Sequence, residues 1–172
     1  SIEATNFLFR NEGQARFSDV SQQWGMTNPS LSNGAVYADL DRDGDLDLVV
    51  NNVNAPASIL ENTLSHPDNR FLKVDLTALP SASAIGASVQ VFTGGEVQAQ
   101  EFYPVRGFQS CMYLPLTFGR GEAAAADSVV IYWPSGVATH YAGVGAGRTL
   151  TPAPTDQPGR EWIATAGRPD RM

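Results

Sequence analysis

Only one cysteine, Cys111, stands among the 172 residues. No disulfide can form within the chain, and a zinc site built on cysteines is excluded. A lone cysteine fits a bacterial secreted protein and a cytosolic one alike, so the redox compartment stays open. Histidine is almost as scarce, with His66 and His140 alone. No apolar run approaches the roughly 20 residues that span a bilayer. No basic stretch followed by an apolar one opens the chain, so no signal peptide is visible; a secreted parent would have lost it or carry it upstream. Positive charge is sparse too, with 11 Lys and Arg against 18 Asp and Glu and a net charge of −7. Such a chain gains nothing from counterion release, so nucleic acid is not an expected partner.

Helical periodicity is nearly absent as well. The only candidate helical turn, EAAAAD at residues 122–127, reads better as a loop. Short alternating runs between Gly, Pro, Asn and Asp dominate instead, which is the all-β pattern. A first section, from about Asn6 to Thr63, holds the strand-sized runs NFLFRN, ARFSDV, GAVYAD, LDLVVNN and ASILEN. A second begins near Asn69 with RFLKVDL, where Leu72, Val74 and Leu76 alternate with Lys73 and Asp75, so one face is buried and the other wet. IGASVQVF and EVQAQEF flank Gly94-Gly95, a hairpin signal because both turn positions can take positive φ. In CMYLPLTF, Pro115 predicts an edge or bulge. DSVVIYW leads through the turn Trp133-Pro134-Ser135-Gly136 into VATHYA. Residues 1–64 and 69–151 are read as two domains. From Pro152 to Met172 the composition turns to proline, glycine and charge, the signature of a mobile tail.

Asp39-Leu40-Asp41-Arg42-Asp43-Gly44-Asp45-Leu46-Asp47 places five carboxylates within nine residues. Folding alone does not favour such crowding, because like charges repel. A hard divalent cation reverses the sign, since calcium takes six to eight oxygen ligands that alternate residues of a curling loop can supply. Gly44 permits the sharp turn. The candidate ligands are the side chains of Asp39, Asp41, Asp43 and Asp47 and the backbone carbonyl of Asp45, whose carboxylate is then left to solvent. One calcium is expected in preference to magnesium, which demands tighter octahedral geometry. The loop opens like an EF-hand, but Val50 stands where the bidentate Glu belongs and the flanks read as strands.

D-x-D-x-D-G-x-x-D between two strands resembles the calcium loop of FG-GAP/VCBS repeats, the blades of integrin-type β-propellers. FLFRNEGQARFSDVSQQWGM resembles the strand pair that precedes such a loop. Beyond it, Ile85-Gly86-Ala87 with Val89, Phe118-Gly119-Arg120-Gly121 and Trp133-Pro134-Ser135-Gly136 are similar to the ASPIC/UnbV domain, which often follows these repeats. Arg120 stands where that family usually has an apolar residue, and Cys111 where a Gln is common. The resemblance implies a partial propeller blade with a calcium-loop hairpin, followed by a small antiparallel β-sandwich or barrel. It also implies a secreted, extracellular or periplasmic module with a protein or glycan partner. A propeller typically needs 4–8 blades and this chain holds about one, so a longer parent is expected.

Catalytic candidates are thin. Cys111 lies in an apolar run, where a buried, inert thiol is the usual outcome. No G-x-S-x-G elbow is present, and GAGRT lacks the lysine and spacing of a phosphate loop. Trp24, Phe118 and Trp133 read as core residues. The expectation is a non-catalytic module. A second reading is an accessory or catalytic factor in a bacterial biosynthetic pathway of the enediyne type, or in glycan processing.

Overall fold

The computed structural model describes residues 4–63 and 70–152. The fold is all-β, with five sheets among the described residues. In the first section β1 (Phe9–Gly13) and β2 (Arg16–Asp19) form a hairpin, and β3 (Ser32–Ala38), β4 (Asp47–Asn52) and β5 (Ser58–Leu60) form an antiparallel sheet in that order. Every residue of β1 is exposed.

The second section is a sandwich of two sheets. One has β6 (Arg70–Val74) in the middle, between β11 (Leu116–Gly121) and β14 (Arg148–Leu150). The other runs β13 (Ala138–Gly145), β12 (Ala125–Tyr132), β7 (Ser88–Thr93) and β8 (Glu96–Glu101). Alternation along β6, β7, β11 and β12 sends Leu72, Val74, Val89, Val91, Phe118, Val129 and Ile131 into one shared core. The Gly94-Gly95 turn forms as its two glycines require, at φ +55° and +88°, and joins Thr93 to its partner Glu96. Gly136 N–H donates to the Trp133 carbonyl at 2.9 Å, closing the turn expected there. The indole of buried Trp133 donates to Thr139 Oγ1 at 2.8 Å.

A two-strand hairpin of β9 (Val105–Gly107) and β10 (Ser110–Cys111) projects from the second section onto the outer edge of β3. There Ala35 N–H donates to Ser110 Oγ at 3.1 Å, and Tyr37 N–H to Met112 Sδ at 3.1 Å. Asn33 Nδ2 donates to Gln109 Oε1 at 2.6 Å. The unpaired N–H groups of an edge strand are thus answered by side chains of the other section.

Several expectations change. The helical turn α1 lies at Ser81–Ala84, and Ala125–Asp127 of the EAAAAD stretch belong to β12. Ala126 is buried there, where its small side chain packs against the core. β14, a strand the local pattern does not announce, pairs parallel with β6. Cys111 is exposed, not buried. The run 111–118 is not one strand: β10 ends at Cys111, β11 begins at Leu116, and the alternation buries Ser110 and Met112 on either side of the thiol. Trp24 is exposed, on a turn, whereas Phe118 and Trp133 are core. Pro152 is fully buried and so belongs to the body. The remainder of the tail, His66 and the expected domain boundary lie outside the described residues.

Candidate metal centre

The antiparallel pair β3–β4 ends at Ala38 and Asp47, so the intervening residues curl in a loop above the sheet. Asp41 Oδ1 accepts from Asp43 N–H at 3.2 Å, and Asp43 Oδ1 from Asp45 N–H at 3.0 Å. These successive Asx turns wind the backbone, with Arg42 and Gly44 at φ +69° and +101°. The winding brings one carboxylate oxygen each from Asp39, Asp41 and Asp43 within 4.8 Å of one another.

The other two acidic residues sit differently. Asp47 is buried, and its carboxylate accepts from Leu40 N–H and Asn62 N–H, both at 2.9 Å. Those backbone bonds, Asn62 first, lower its pKa. Asp47 therefore staples the start of the loop to the chain beyond β5. Asp45 does not turn its carboxylate to solvent as expected: Oδ1 is buried and without a hydrogen-bond partner. Desolvation, then repulsion from Asp43, Asp47, Asp41 and Asp39, pushes its pKa up to about 6. Val50, at the position of the EF-hand glutamate, is buried in β4 and takes no part.

Two residues from β6 reach the loop. Lys73 donates its ammonium to Asp39 Oδ2, and the Asp39 side chain is only 7% exposed. Asp39 Oδ1 is buried and has no partner. A buried anionic oxygen left unsatisfied is costly, and a cation is what would satisfy it. An all-oxygen donor set of this kind fits a hard divalent cation. The ring of Phe71 lies against Gly44, so close that a methyl group there would fall 2.0 Å from Cε1. Glycine is thus required both by its φ and by the ring. Lys73 Nζ also sits 5.1 Å from the Phe71 centroid, a cation–π contact. Sequence reasoning did not bring Phe71 and Lys73 to the site. The alternation of β6 indicated only that they face away from its core.

A cleft of ≈ 370 Å³ lies beside the loop, between the sections, lined by Tyr37, Leu46, Gln100, Arg106, Met112 and Leu116 among others. Arg106 there donates to the Glu101 carbonyl at 3.2 Å.

Comparison with known proteins finds matches in both sections. The family model of the FG-GAP-like repeat matches residues 1–50, which include the whole Asp loop. That of the ASPIC and UnbV domain matches residues 79–158. The chain is an FG-GAP-like repeat followed by an ASPIC/UnbV domain. Cartilage acidic protein 1 of Mus musculus is 26% identical over 99 residues, covering 57% of this chain and 15% of that protein. Cartilage acidic protein 1 of Homo sapiens is 36% identical over 67 residues, covering 38% of this chain and 10% of that protein. The FG-GAP-like repeat fits a propeller blade, with the Asp loop on the β3–β4 hairpin. Among the described residues no helix is long and apolar enough to cross a membrane.

Proposed function

We propose that this chain is a non-catalytic, calcium-binding module of an extracellular protein, serving recognition or assembly at the end of a longer propeller. The observation that carries the reading is the convergence of the Asp39, Asp41 and Asp43 carboxylates beside a buried, unpartnered oxygen of Asp39. Those three side chains would hold the ion, with the backbone carbonyl of Asp45 beside them; Asp47, both of whose carboxylate oxygens accept backbone N–H groups, would brace the loop. Bound calcium would neutralise the mutual repulsion of the loop and fix the β3–β4 hairpin. The extracellular setting is supported by the FG-GAP-like repeat and by the likeness to cartilage acidic protein 1. The partner would be a protein or a glycan.

Calorimetric titration of the stripped chain tests this. Calcium should bind with a dissociation constant of about 10⁻⁴ to 10⁻³ M, the range of extracellular calcium modules, and magnesium much more weakly. Asp43→Ala should lose most of the calcium heat and Asp45→Ala should keep it, because alanine retains the carbonyl. No calcium heat in the native chain, or equal affinity for magnesium, would overturn the reading. Equal losses in the two variants would overturn the ligand assignment.

A further inference from the structure

Strand β6 has two working faces. Leu72 and Val74 anchor it in the sandwich core, and as the middle strand of its sheet it is held on both edges. Phe71 and Lys73, two residues apart, share the opposite face. That face meets the Asp loop: Phe71 packs on Gly44, and Lys73 pairs with Asp39. β6 lies in the interval between the two family matches, which end at residue 50 and resume at 79. We infer that β6 forms the second wall of the metal centre, so that cation binding by the repeat and docking of the following domain are one linked equilibrium. The calcium part of this inference rests on the proposed function above.

The two residues act with opposite signs. The Phe71 ring fills the space beneath the turning glycine, and a loop held in its curled form gives up less conformational freedom when an ion binds. Phe71 thus favours the ion, and by reciprocity the ion favours the dock. Lys73 brings a positive charge to Asp39, which carries one of the three convergent carboxylates. Its ammonium competes with the ion for the same negative potential, so it opposes binding and restrains the empty loop. Asp39 is where the two contributions meet: one oxygen is taken by Lys73 and the other is buried without a partner.

The experiment compares the full native chain with Phe71→Ala, Phe71→Leu and Lys73→Gln. Calcium chloride is titrated calorimetrically, and amide exchange is followed in calcium-free buffer. Phe71→Ala should weaken calcium binding about five-fold or more, the lower end of ordinary coupling between sites. Phe71→Leu, which keeps an apolar contact, should fall between it and the native chain. Lys73→Gln should strengthen binding about three-fold, the scale of one partly screened ion pair. Without calcium, residues 39–47 should exchange faster in Phe71→Ala, while residues 88–93 and 125–132 keep their protection and show that the sandwich is intact. Unchanged affinity and unchanged loop exchange in Phe71→Ala would overturn the coupling, and weaker binding in Lys73→Gln would overturn the role given to Lys73. If the native chain takes no calcium, the proposed function fails, and loop exchange in calcium-free buffer alone then decides whether β6 holds the loop.

Discussion

Between residues 72 and 133, fifteen buried apolar side chains form one continuous cluster. Among the described residues 4–63, the buried apolar side chains are Val20, Met26 and Val50. The first section leaves Phe7, Phe9, Phe17 and Ile59 between 59% and 69% exposed, with Phe7 and Phe9 stacked on each other at 6.1 Å. What holds it is largely polar. Asn6 donates to Ser30 and Ser32, Asn52 ties the chain around Pro56 and Ser58, Asp19 caps Ser21, and Asp47 staples Leu40 to Asn62. A piece of this size with a thin core needs staples or neighbours. The structure offers both, in the polar ties and in the contacts with β6 and the β9–β10 hairpin.

That contrast breaks first under deletion of a large side chain. Phe118→Ala should cost about 3–5 kcal/mol, because it removes a fully buried ring and leaves a cavity. Phe17→Ala, on a ring 62% exposed, should stay within about 0.5 kcal/mol. Denaturant unfolding of the two variants measures both. A comparable loss for Phe17→Ala would mean that its face is covered in solution, and the two sections would then not differ as described.

How legible each section was follows the same division. Period-two alternation marked β6, β7 and β12, because each buries one face in a single core and the pattern has one physical cause. The curl of the Asp loop was legible because alternate Asp residues with a glycine among them can wind a turn that brings their carboxylates together. Where a residue's role is set by a distant partner, the chain carried no local sign of it. Lys73 read as the wet side of an ordinary strand, yet its face meets the loop. Arg148–Leu150 carried no strand signal, because a three-residue strand paired in parallel with β6, far away in the chain, has no neighbour to betray it. Cys111 and Met112 look alike in an apolar run, and only the end of β10 decides that one faces out and the other in.

A smaller effect concerns a polar flaw in the sandwich, at Arg120. Arg120 is 6% exposed, and although Nη2 donates to the Ala125 carbonyl, Nε and Nη1 are buried without partners. Burial lowers its pKa, offset in part by the charge of Asp127. Arg120 fills a place on β11 that its ASPIC/UnbV resemblance reserves for an apolar side chain. Arg120→Met keeps most of the volume and removes the desolvated charge, so it should stabilise the chain by about 1 kcal/mol. A raised melting temperature checks this. A fall would show that the guanidinium has partners in solution, and that the second section is not held by apolar packing alone.

An effect of similar size lies in the first section and has the opposite sense to ordinary acid denaturation. The carboxyl of Asp45 has a pKa of about 6 in the folded chain against an ordinary value of 3.8. Between those values the folded state holds the proton more often than the unfolded state does, so stability falls as pH rises through that window. The lowered carboxyls of Asp19 and Asp47 act differently: their contribution is present above the unfolded pKa and is lost only as pH falls through their lower folded values. The two effects occupy separate ranges, and between about pH 4 and 6 Asp45 dominates the first section. In calcium-free buffer, amides of residues 34–52 should therefore be better protected at pH 5 than at pH 7, after correction for the intrinsic exchange rate. The difference should correspond to about 1 kcal/mol once solvent screening is allowed for. Protection of residues 88–93 should not follow it. Asp45→Asn should abolish the difference, because the amide is neutral at both pH values. Saturating calcium at pH 7 should reverse it, since the ion supplies the positive charge that the proton otherwise brings. A pH difference of the same size in Asp45→Asn would place its origin outside the Asp45 carboxyl.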